Sequence, residues 1–255
     1  MSSGRLLTDK TEPVSRQAVF DGFHAWKHAV RFGYQFTDAW TDDPERLGGL
    51  VESLAPDLVP RMAGVTIVSS DDLTARCAEA GLRSVHHTRV LAWGTVPQAD
   101  PSLLTASFRA AVSSVPAVLV DGARHPGNLG AVIRVAAAVG APVVFTVGGV
   151  DPWLPEVVRA AAGLHAAVAV MPVEDVDLIE GDVFVLDADG EPVSQVSFPA
   201  GSVLAVGAER HGVSAQVSAR SELVVSLPMR DGVSSLNLAT SVAAALYVHI
   251  SKGTS

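Results

Sequence analysis

The 255-residue chain is 48% hydrophobic and 18% charged, which is typical of a folded protein of one large or two smaller domains and excludes a disordered chain. The single cysteine, Cys77, cannot form an intramolecular disulfide, and the polar start holds no apolar signal core, so we expect a cytoplasmic protein. The formal net charge of −9, with neither residues 1–100 nor the remainder basic, excludes a broadly cationic surface.

Helical and strand patterns alternate over the first hundred residues. Residues 1–18 are polar and predict a flexible leader, and residues 21–33 predict a helix with Asp21 as its N-cap and Gly33 as its end. Strands are further predicted at 35–39, 65–68 and 84–90, and helices at 45–54 and 71–80. The alternation predicts a small α/β domain over residues 19–97. Two prolines then introduce a linker over residues 98–114, which contains a predicted helix at 103–112.

A more regular α/β alternation starts at Ala117. Strands are predicted at 117–120, 143–147, 183–187, 203–206 and 223–227, and helices near 129–139, 154–162 and 236–250. The strand runs are continuously apolar, which indicates a parallel sheet with helices on both faces, and a nucleotide-like ligand is expected outside the carboxyl ends of its strands. The apolar stretch 131–150 is interrupted by Gly-Ala-Pro at 140–142, which favours a helix and a buried strand over a membrane span.

The turn at residues 121–127 is the first of three blocks that carry chemistry. Glycines at 122, 127 and 130 let the backbone approach a ligand, and Asn128 is a candidate helix cap. Arg134 lies in an apolar run, where a charge is costly unless it is paired or exposed in a cleft. The alternative is a Rossmann-like phosphate loop with a surface arginine, although the Gly-x-Gly-x-x-Gly pattern is missing.

The second and third blocks follow the last two predicted strands. Residues 206–212 read Val-Gly-Ala-Glu-Arg-His-Gly, and Leu-Pro-Met at 227–229 precedes Ser-Leu-Asn at 235–237. Each block also has a simpler explanation, since Glu209 can be a solvated loop carboxylate and Ser235 an ordinary N-cap of the last helix. In that helix Leu238, Val242 and Leu246 continue an apolar stripe to Ile250, which core packing and a dimer interface explain equally well.

Together the three blocks resemble the ordered signature of the SpoU/TrmH family of RNA methyltransferases, which belongs to the SPOUT superfamily. Asn128, Gly130 and Arg134 match Asn-x-Gly-x-x-x-Arg, and residues 159–163 resemble the Arg-x-x-x-Gly that follows it. The second block resembles Gly-Ser-Glu-x-x-Gly, with Ala208 in place of serine. In the third block, Asp231 stands where relatives commonly have glycine.

This resemblance implies an α/β fold with a SPOUT-type parallel sheet and a C-terminal trefoil knot over residues 115–255, assembled as a homodimer. Residues 19–26 resemble the opening of the small L30e-like RNA-binding domain that precedes many such enzymes, with Asp21 in place of glutamate. Basic residues of that domain are candidates for touching RNA, although surface solvation explains them equally well. They are Arg31, Arg83, His86, His87 and Arg89.

The resemblance also implies the reaction, which is transfer of a methyl group from S-adenosyl-L-methionine to a ribose 2'-hydroxyl without a metal. The implied catalytic residues are Arg134, Asn128, Glu209, Ser235 and Asn237; the cofactor-binding residues are Gly207, Leu227, Leu236 and Met229; and the substrate-binding residues are Arg124, Arg210 and His211. Gly207 is expected to leave room for the methionine part of the cofactor.

Relatives are taken to use the arginine that corresponds to Arg134 to activate the 2'-hydroxyl. Because a guanidinium has a pKa above about 12, we expect Arg134 to orient the ribose and its phosphate instead. The proton then passes to that phosphate or to a neighbour such as His125.

Several alternatives stay open on sequence grounds. Ribosomal RNA is favoured over transfer RNA as the substrate only by analogy with two-domain relatives. The acidic composition, Ala208 and Asp231 also fit a non-catalytic RNA-binding or assembly factor that keeps the fold. A third alternative keeps the cofactor and changes the acceptor to a base or a small molecule.

Overall fold

The computed structural model describes residues 16–208 and 212–253, which form two β-sheets with helices around them. The strands are β1 (Gln17–Asp21), β2 (Phe36–Thr41), β3 (Thr66–Ile67), β4 (Val90–Thr95), β5 (Ala117–Asp121), β6 (Val143–Val147), β7 (Ala169–Pro172), β8 (Val183–Pro192), β9 (Val203–Gly207) and β10 (Ser221–Ser226). The α-helices are α1 (Phe23–Arg31), α2 (Pro44–Leu54), α3 (Ser70–Glu79), α4 (Ala106–Val112), α5 (Pro126–Val139), α6 (Pro155–Ala160), α7 (Ala215–Ala219) and α8 (Leu238–Gly253). Short 3-10 helices lie at Pro56–Gly64, Pro101–Leu104, Leu164–Ala166 and Val176–Leu178.

The first four strands form a mixed sheet in the order β1-β4-β2-β3. β4 is antiparallel to both β1 and β2, whereas β2 and β3 are parallel. Phe20, Phe23 and Trp26 fill the core on one face, and Trp40 and Trp93 pack edge to face at 4.8 Å on the other. This agrees with a small α/β unit, held together mainly by aromatic side chains.

Three predictions in this region were wrong. The strand predicted at 84–90 is absent, because His86 and Thr88 hydrogen-bond locally in a turn and the strand starts only at Val90. β1 begins at Gln17, inside the predicted leader, whose residues 1–15 lie outside the described part of the chain. Asp21 is the last residue of β1 and not a helix cap, because Gly22 with a φ of 95° makes the turn into α1.

The second sheet has six strands, all parallel, in the order β10-β8-β9-β5-β6-β7. This confirms the predicted parallel sheet, with β7 as an edge strand that the sequence did not reveal. From β5 the chain goes to β6 and β7 on one side and then crosses to β8 and β9 on the other. The order therefore reverses beside β5, where parallel α/β sheets bind ligands at the carboxyl ends of their strands.

Helices cover both faces of this sheet, and α5 and α8 pack together on one of them. The predicted stripe on α8 belongs to the core, since Leu238, Val242 and Leu246 are all buried and Ile250 packs against the same cluster. From the sequence alone, core packing and a dimer interface explained these residues equally well. Tyr247, on the other side of α8, is 56% exposed.

The predicted linker is fixed to the second sheet by Arg109. Its side chain is fully buried and donates to the carbonyl oxygens of Leu103, Leu104 and Gly201, and also to that of Glu180. A buried guanidinium needs such acceptors, because an unsatisfied charge is costly. α4 and the 3-10 helix before it are therefore part of the packed structure.

The two sheets contact each other through α1, β1 and α6. Trp153 and Val158, from the chain of the second sheet, are buried in the core of the first. His28 Nδ1 donates to the carbonyl oxygen of Ala162 at 2.8 Å. Gly163 has a φ of 73°, and a Cβ there would lie 2.2 Å from the carbonyl oxygen of Ala25. These close backbone contacts fix α1 against the second sheet.

A buried ion pair adds to this contact. Asp21 at the end of β1 is 2% exposed and accepts a hydrogen bond from Arg159 of α6. Burial raises the pKa of Asp21, even though the charge of Arg159 acts in the opposite direction.

No helix within the described ranges is long and apolar enough to cross a membrane.

Candidate active site

A pocket of about 240 Å³ opens at the carboxyl ends of β8, β9 and β10. The middle of β8 forms one wall, because its register with β10 shifts here: Val185 pairs with Val224, and the next pair is Glu191 with Val225. Leu186 and Asp187 lie in this irregular part of β8 and line the pocket. The strand order thus places a concave site at the edge of the sheet where the sequence predicted a ligand.

All four residues predicted to bind the cofactor line this pocket. Gly207 lies at the end of β9, Leu227 follows β10, and Met229 and Leu236 belong to the loop before α8. Ser235, which was predicted to be catalytic, lines it as well. The second and third sequence blocks, which are separated by residues 213–226 in the chain, therefore share one cavity.

Glycine at position 207 is also required by the protein's own backbone. A Cβ at this position would lie 1.9 Å from the carbonyl carbon of Gly212 and 2.2 Å from the nitrogen of Val213. The backbone of the second block folds back on itself here, with the Gly212 N–H donating to the carbonyl oxygen of Ala208 at 3.1 Å. Glycine at 207 therefore makes room for the protein's own backbone.

Residues 209–211 lie outside the described part of the chain, and with them the predicted site residues Glu209, Arg210 and His211.

Asp121 fixes this returning backbone, a role that sequence reasoning missed. The carboxylate is 7% exposed at the end of β5 and accepts a hydrogen bond from the Ser214 N–H at 2.5 Å. It thus ties the first block to the second across neighbouring strands. The sequence contained one signal for this role, because Asp121 directly follows the apolar run 117–120 and a carboxylate buried there requires hydrogen-bond donors.

The loop between β10 and α8 contains a turn that explains the order Asp231-Gly232. The Val233 N–H donates to the carbonyl oxygen of Arg230, and Gly232 at the third position of the turn has a φ of 85°. A turn with a positive φ at this position requires glycine. The departure from the family pattern at Asp231 is therefore accommodated by a local turn in which Gly232 takes the left-handed position.

Asn128 and Asn237 bring the first and third blocks into contact. Asn237 Nδ2 donates to Asn128 Oδ1 at 3.0 Å, while its own Oδ1 accepts from the backbone N–H groups of Ala239 and Thr240. Asn237 is thus the residue that caps α8, and the alternative of a cap by Ser235 was wrong. Asn128 is the third residue of α5 and does not cap it, because Pro126 starts that helix one turn earlier than predicted.

Arg134 lies six residues beyond Asn128 on α5, and its side chain is exposed. It makes no hydrogen bond or ion pair with any residue in the ranges 16–208 and 212–253. The expectation that this charge is either paired or exposed is thus met by exposure. Arg124 is also exposed, in the turn before α5.

Comparison with known proteins identifies the family. Residues 116–247, just over half of the chain, match the family model described as the SpoU rRNA Methylase family. The 23S rRNA (uridine(2479)-2'-O)-methyltransferase of Streptomyces viridochromogenes is 34% identical over 144 residues, which are 51% of this chain and 50% of that protein. The mitochondrial rRNA methyltransferase 3A of Danio rerio is 44% identical over 80 residues, which are 31% of this chain and 18% of that protein.

The chain spans half or less of the length of these curated relatives. Among solved structures, the SpoU methyltransferase AviRb from Streptomyces viridochromogenes, in complex with the cofactor AdoMet, superposes with a TM-score of 0.72 at 22% identity. The superposition covers 93% of this chain and 91% of that one, so the likeness in fold extends over both sheets. The chain belongs to the SpoU rRNA methylase family.

Proposed function

We propose that the protein is an S-adenosylmethionine-dependent methyltransferase that methylates a ribose 2'-hydroxyl in ribosomal RNA. The observation that carries this proposal is the hydrogen bond between Asn128 and Asn237. It joins the block that contains Arg134 to the block that lines the pocket, so that a cofactor site and a substrate-orienting group lie on one edge of the sheet. The relatives described by name as rRNA methyltransferases support ribosomal RNA over transfer RNA.

The pocket fits the proposed cofactor. Leu186, Leu227 and Leu236 offer apolar surfaces for a flat adenine ring. Within the described residues, the backbone N–H groups of Leu227 and Leu236 donate to no protein acceptor, which leaves them available for the polar edge of such a ring. When bound, S-adenosylmethionine would supply an electrophilic methyl group on its sulfonium.

The protein's contribution is to place and deprotonate the acceptor hydroxyl. Arg134 orients the ribose and its phosphate through forked hydrogen bonds, since a guanidinium with a pKa above about 12 does not serve as a base. Asn128 and Asn237 are held to each other. Together with Ser235, they order the polar groups between Arg134 and the pocket. The proton passes to the adjacent phosphate or to His125, which directly precedes α5.

The remaining assignments are parts of the same proposal. Arg124, Arg210 and His211 bind the substrate, and Glu209 orders the site. Residues 19–97 form an L30e-like RNA-binding domain, residues 98–114 a linker, and residues 115–255 the methyltransferase domain; the separate cores of the two sheets support this division. A C-terminal trefoil knot, a homodimer and a cytoplasmic location complete the proposal.

Arg134 provides the decisive test of mechanism. We expect Arg134→Ala to lower kcat by at least about 100-fold, because alignment of the acceptor is lost, while the Kd for S-adenosylmethionine stays unchanged. Arg134→Lys should recover part of the rate, since it restores the charge without the fork. Transfer of a tritiated methyl group to large-subunit ribosomal RNA gives the rate, and calorimetric titration gives the Kd. Full activity in Arg134→Ala would contradict the mechanism.

Mapping 2'-O-methyl groups in total RNA, with and without the protein, tests the substrate. A single ribosomal position that loses its methyl group in the absence of the protein is the expected result. If the protein binds no S-adenosylmethionine, the non-catalytic alternative replaces the proposal.

A further inference from the structure

A cluster of positive side chains is formed by residues of α1 and α5, two helices that pack against the same short segment of the chain. His24 and Lys27 are three residues apart on α1 and therefore share one face of that helix. Arg134 comes from α5, and both helices contact the same 3-10 helix, Leu164–Ala166. Because His28 and Gly163 fix α1 at this contact, the three charges are held at a defined position.

Acidic residues do not neutralise this cluster. The next basic residue on the same face of α1, Arg31, is paired with Asp57 through two hydrogen bonds of 2.9 and 2.5 Å. By contrast, neither His24, Lys27 nor Arg134 forms an ion pair in the part of the chain that the structure describes. Asp57, the carboxylate whose charge acts on Lys27, is therefore already engaged by Arg31.

Lys27 is the least expected member of the cluster. The residue is only 9% exposed, and its ammonium lies 5.8 Å from the centroid of the Phe23 ring. Partial desolvation of the ammonium costs free energy, of which a single cation–π contact offsets only part. Packing alone would favour methionine or leucine at this position.

The pKa values show that these charges act on one another. Burial lowers the pKa of Lys27, and the positive charges of Arg31 and Arg134 lower it further, against the effect of Asp57. Burial also lowers the pKa of His24, followed by the charges of Lys27, Arg134 and His87. Positive groups that are held together against their repulsion form a local field that attracts an anion.

We propose that His24, Lys27 and Arg134 together bind one backbone phosphate of the RNA, next to the ribose that Arg134 orients. The proposal rests on the proposed function and extends it, because two of the three groups come from α1, which packs on the N-terminal sheet. That sheet then supplies part of the active site itself. It also gives a chain with a net charge of −9 a local site for a polyanion.

Lys27→Met and His24→Gln test this site, with Arg46→Gln as a matched loss of one positive charge. Arg46 lies on α2 of the same sheet and is paired with Asp43, outside the cluster. Binding of a mixed-sequence single-stranded RNA of about 20 nucleotides is measured between roughly 50 and 200 mM salt, the range over which phosphate contacts change affinity strongly. Thermal unfolding and the Kd for S-adenosylmethionine are measured on the same samples.

We expect Lys27→Met to weaken RNA binding on the order of tenfold, which is the weight of one charged hydrogen bond. The slope of log K against log salt should become shallower by about 0.7, as for one lost contact to a single strand. His24→Gln should weaken binding by a smaller factor, and Lys27→Arg should retain it. The Tm of Lys27→Met should equal or exceed that of the unchanged protein, because methionine fills the same mostly buried position without a charge to desolvate.

Unchanged RNA affinity and salt slope in both Lys27→Met and His24→Gln would overturn the inference. A salt slope reduced equally in Arg46→Gln would also overturn it, because the effect would then reflect net charge. If the unchanged protein binds RNA with the expected dependence on Lys27 yet methylates no ribosomal RNA, the proposed function fails and the phosphate site stands.

Discussion

The two sheets contribute to the active site by different physical means. The six-stranded sheet places its groups through the backbone: Asp121, Gly207 and Leu227 lie at or just after the ends of parallel strands, and strand order alone makes them neighbours. The four-stranded sheet contributes side chains, and His24 and Lys27 reach the site only because α1 is packed against α6. The first arrangement is local to one sheet, whereas the second depends on an interface.

This difference predicts different sensitivities to substitution. A change in backbone geometry at the six-stranded sheet should abolish cofactor binding, whereas a change at the interface should alter stability and RNA binding and leave the pocket intact. The substitutions below test this contrast, in order of decreasing effect.

Gly207→Ala should have the largest effect on cofactor binding. The added Cβ would lie 1.9 Å from the backbone of Gly212, so the segment after β9 must move away from the pocket. A cost of about 2–3 kcal/mol, typical of overpacking, corresponds to roughly 100-fold in the Kd for S-adenosylmethionine. Calorimetric titration measures this change.

Gly127→Ala is the matched control, since no other atom lies within 4 Å of a Cβ at this position on α5. It should retain cofactor binding within about twofold, because surface substitutions usually change free energies by less than about 0.5 kcal/mol. If both variants bind the cofactor equally, the close contact at Gly207 does not control the pocket.

Loss of the ion pair between Asp21 and Arg159 should have an intermediate effect, which falls on the stability of the protein. Arg159→Met leaves a buried carboxylate without its partner and should lower the free energy of unfolding by about 1–2 kcal/mol, less than for a fully buried pair because Arg159 is half exposed. The Kd for S-adenosylmethionine should not change. Urea unfolding measures the stability, and an unchanged midpoint would show that the pair contributes nothing.

Asp21→Asn should show the dependence of this contact on pH. The raised pKa of Asp21 means that the folded state binds its proton more tightly than the unfolded state, so the ionised form lowers stability above the folded pKa. This loss disappears as the pH falls below the ordinary value of 3.8. The protein should therefore gain stability relative to Asp21→Asn between pH 7 and pH 4. A difference that is constant with pH would contradict the burial cost.

Asp231→Gly should have the smallest effect. Gly232 already supplies the positive φ of the turn, and Asp231 is exposed beside it, so restoring the residue of the family pattern changes no required conformation. We expect the Kd for S-adenosylmethionine to change by less than about twofold. A large gain in affinity would show that Asp231 disturbs the pocket directly.

The errors at sequence level share a physical cause. β7 consists of only four residues and ends in Pro172, a residue that is depleted in strands and tolerated at edges, so its pattern does not distinguish it from a loop. The first two residues of β1 were assigned to the polar leader, because this strand gains its burial only by pairing with β4. The turn at 86–89 resembled a strand until its local hydrogen bonds were known.

The sequence by itself determined the family, the parallel sheet and part of the pocket lining, namely Gly207, Leu227, Met229, Ser235 and Leu236. Continuous apolar runs specify buried parallel strands, and turns at the ends of such strands necessarily meet at one edge. Only the tertiary structure revealed why Gly207 is glycine, that Asp121 holds the loop beside it, and that Lys27 stands near Arg134. These contacts join residues far apart in the chain, and their distances depend on how whole elements pack, which no local pattern encodes.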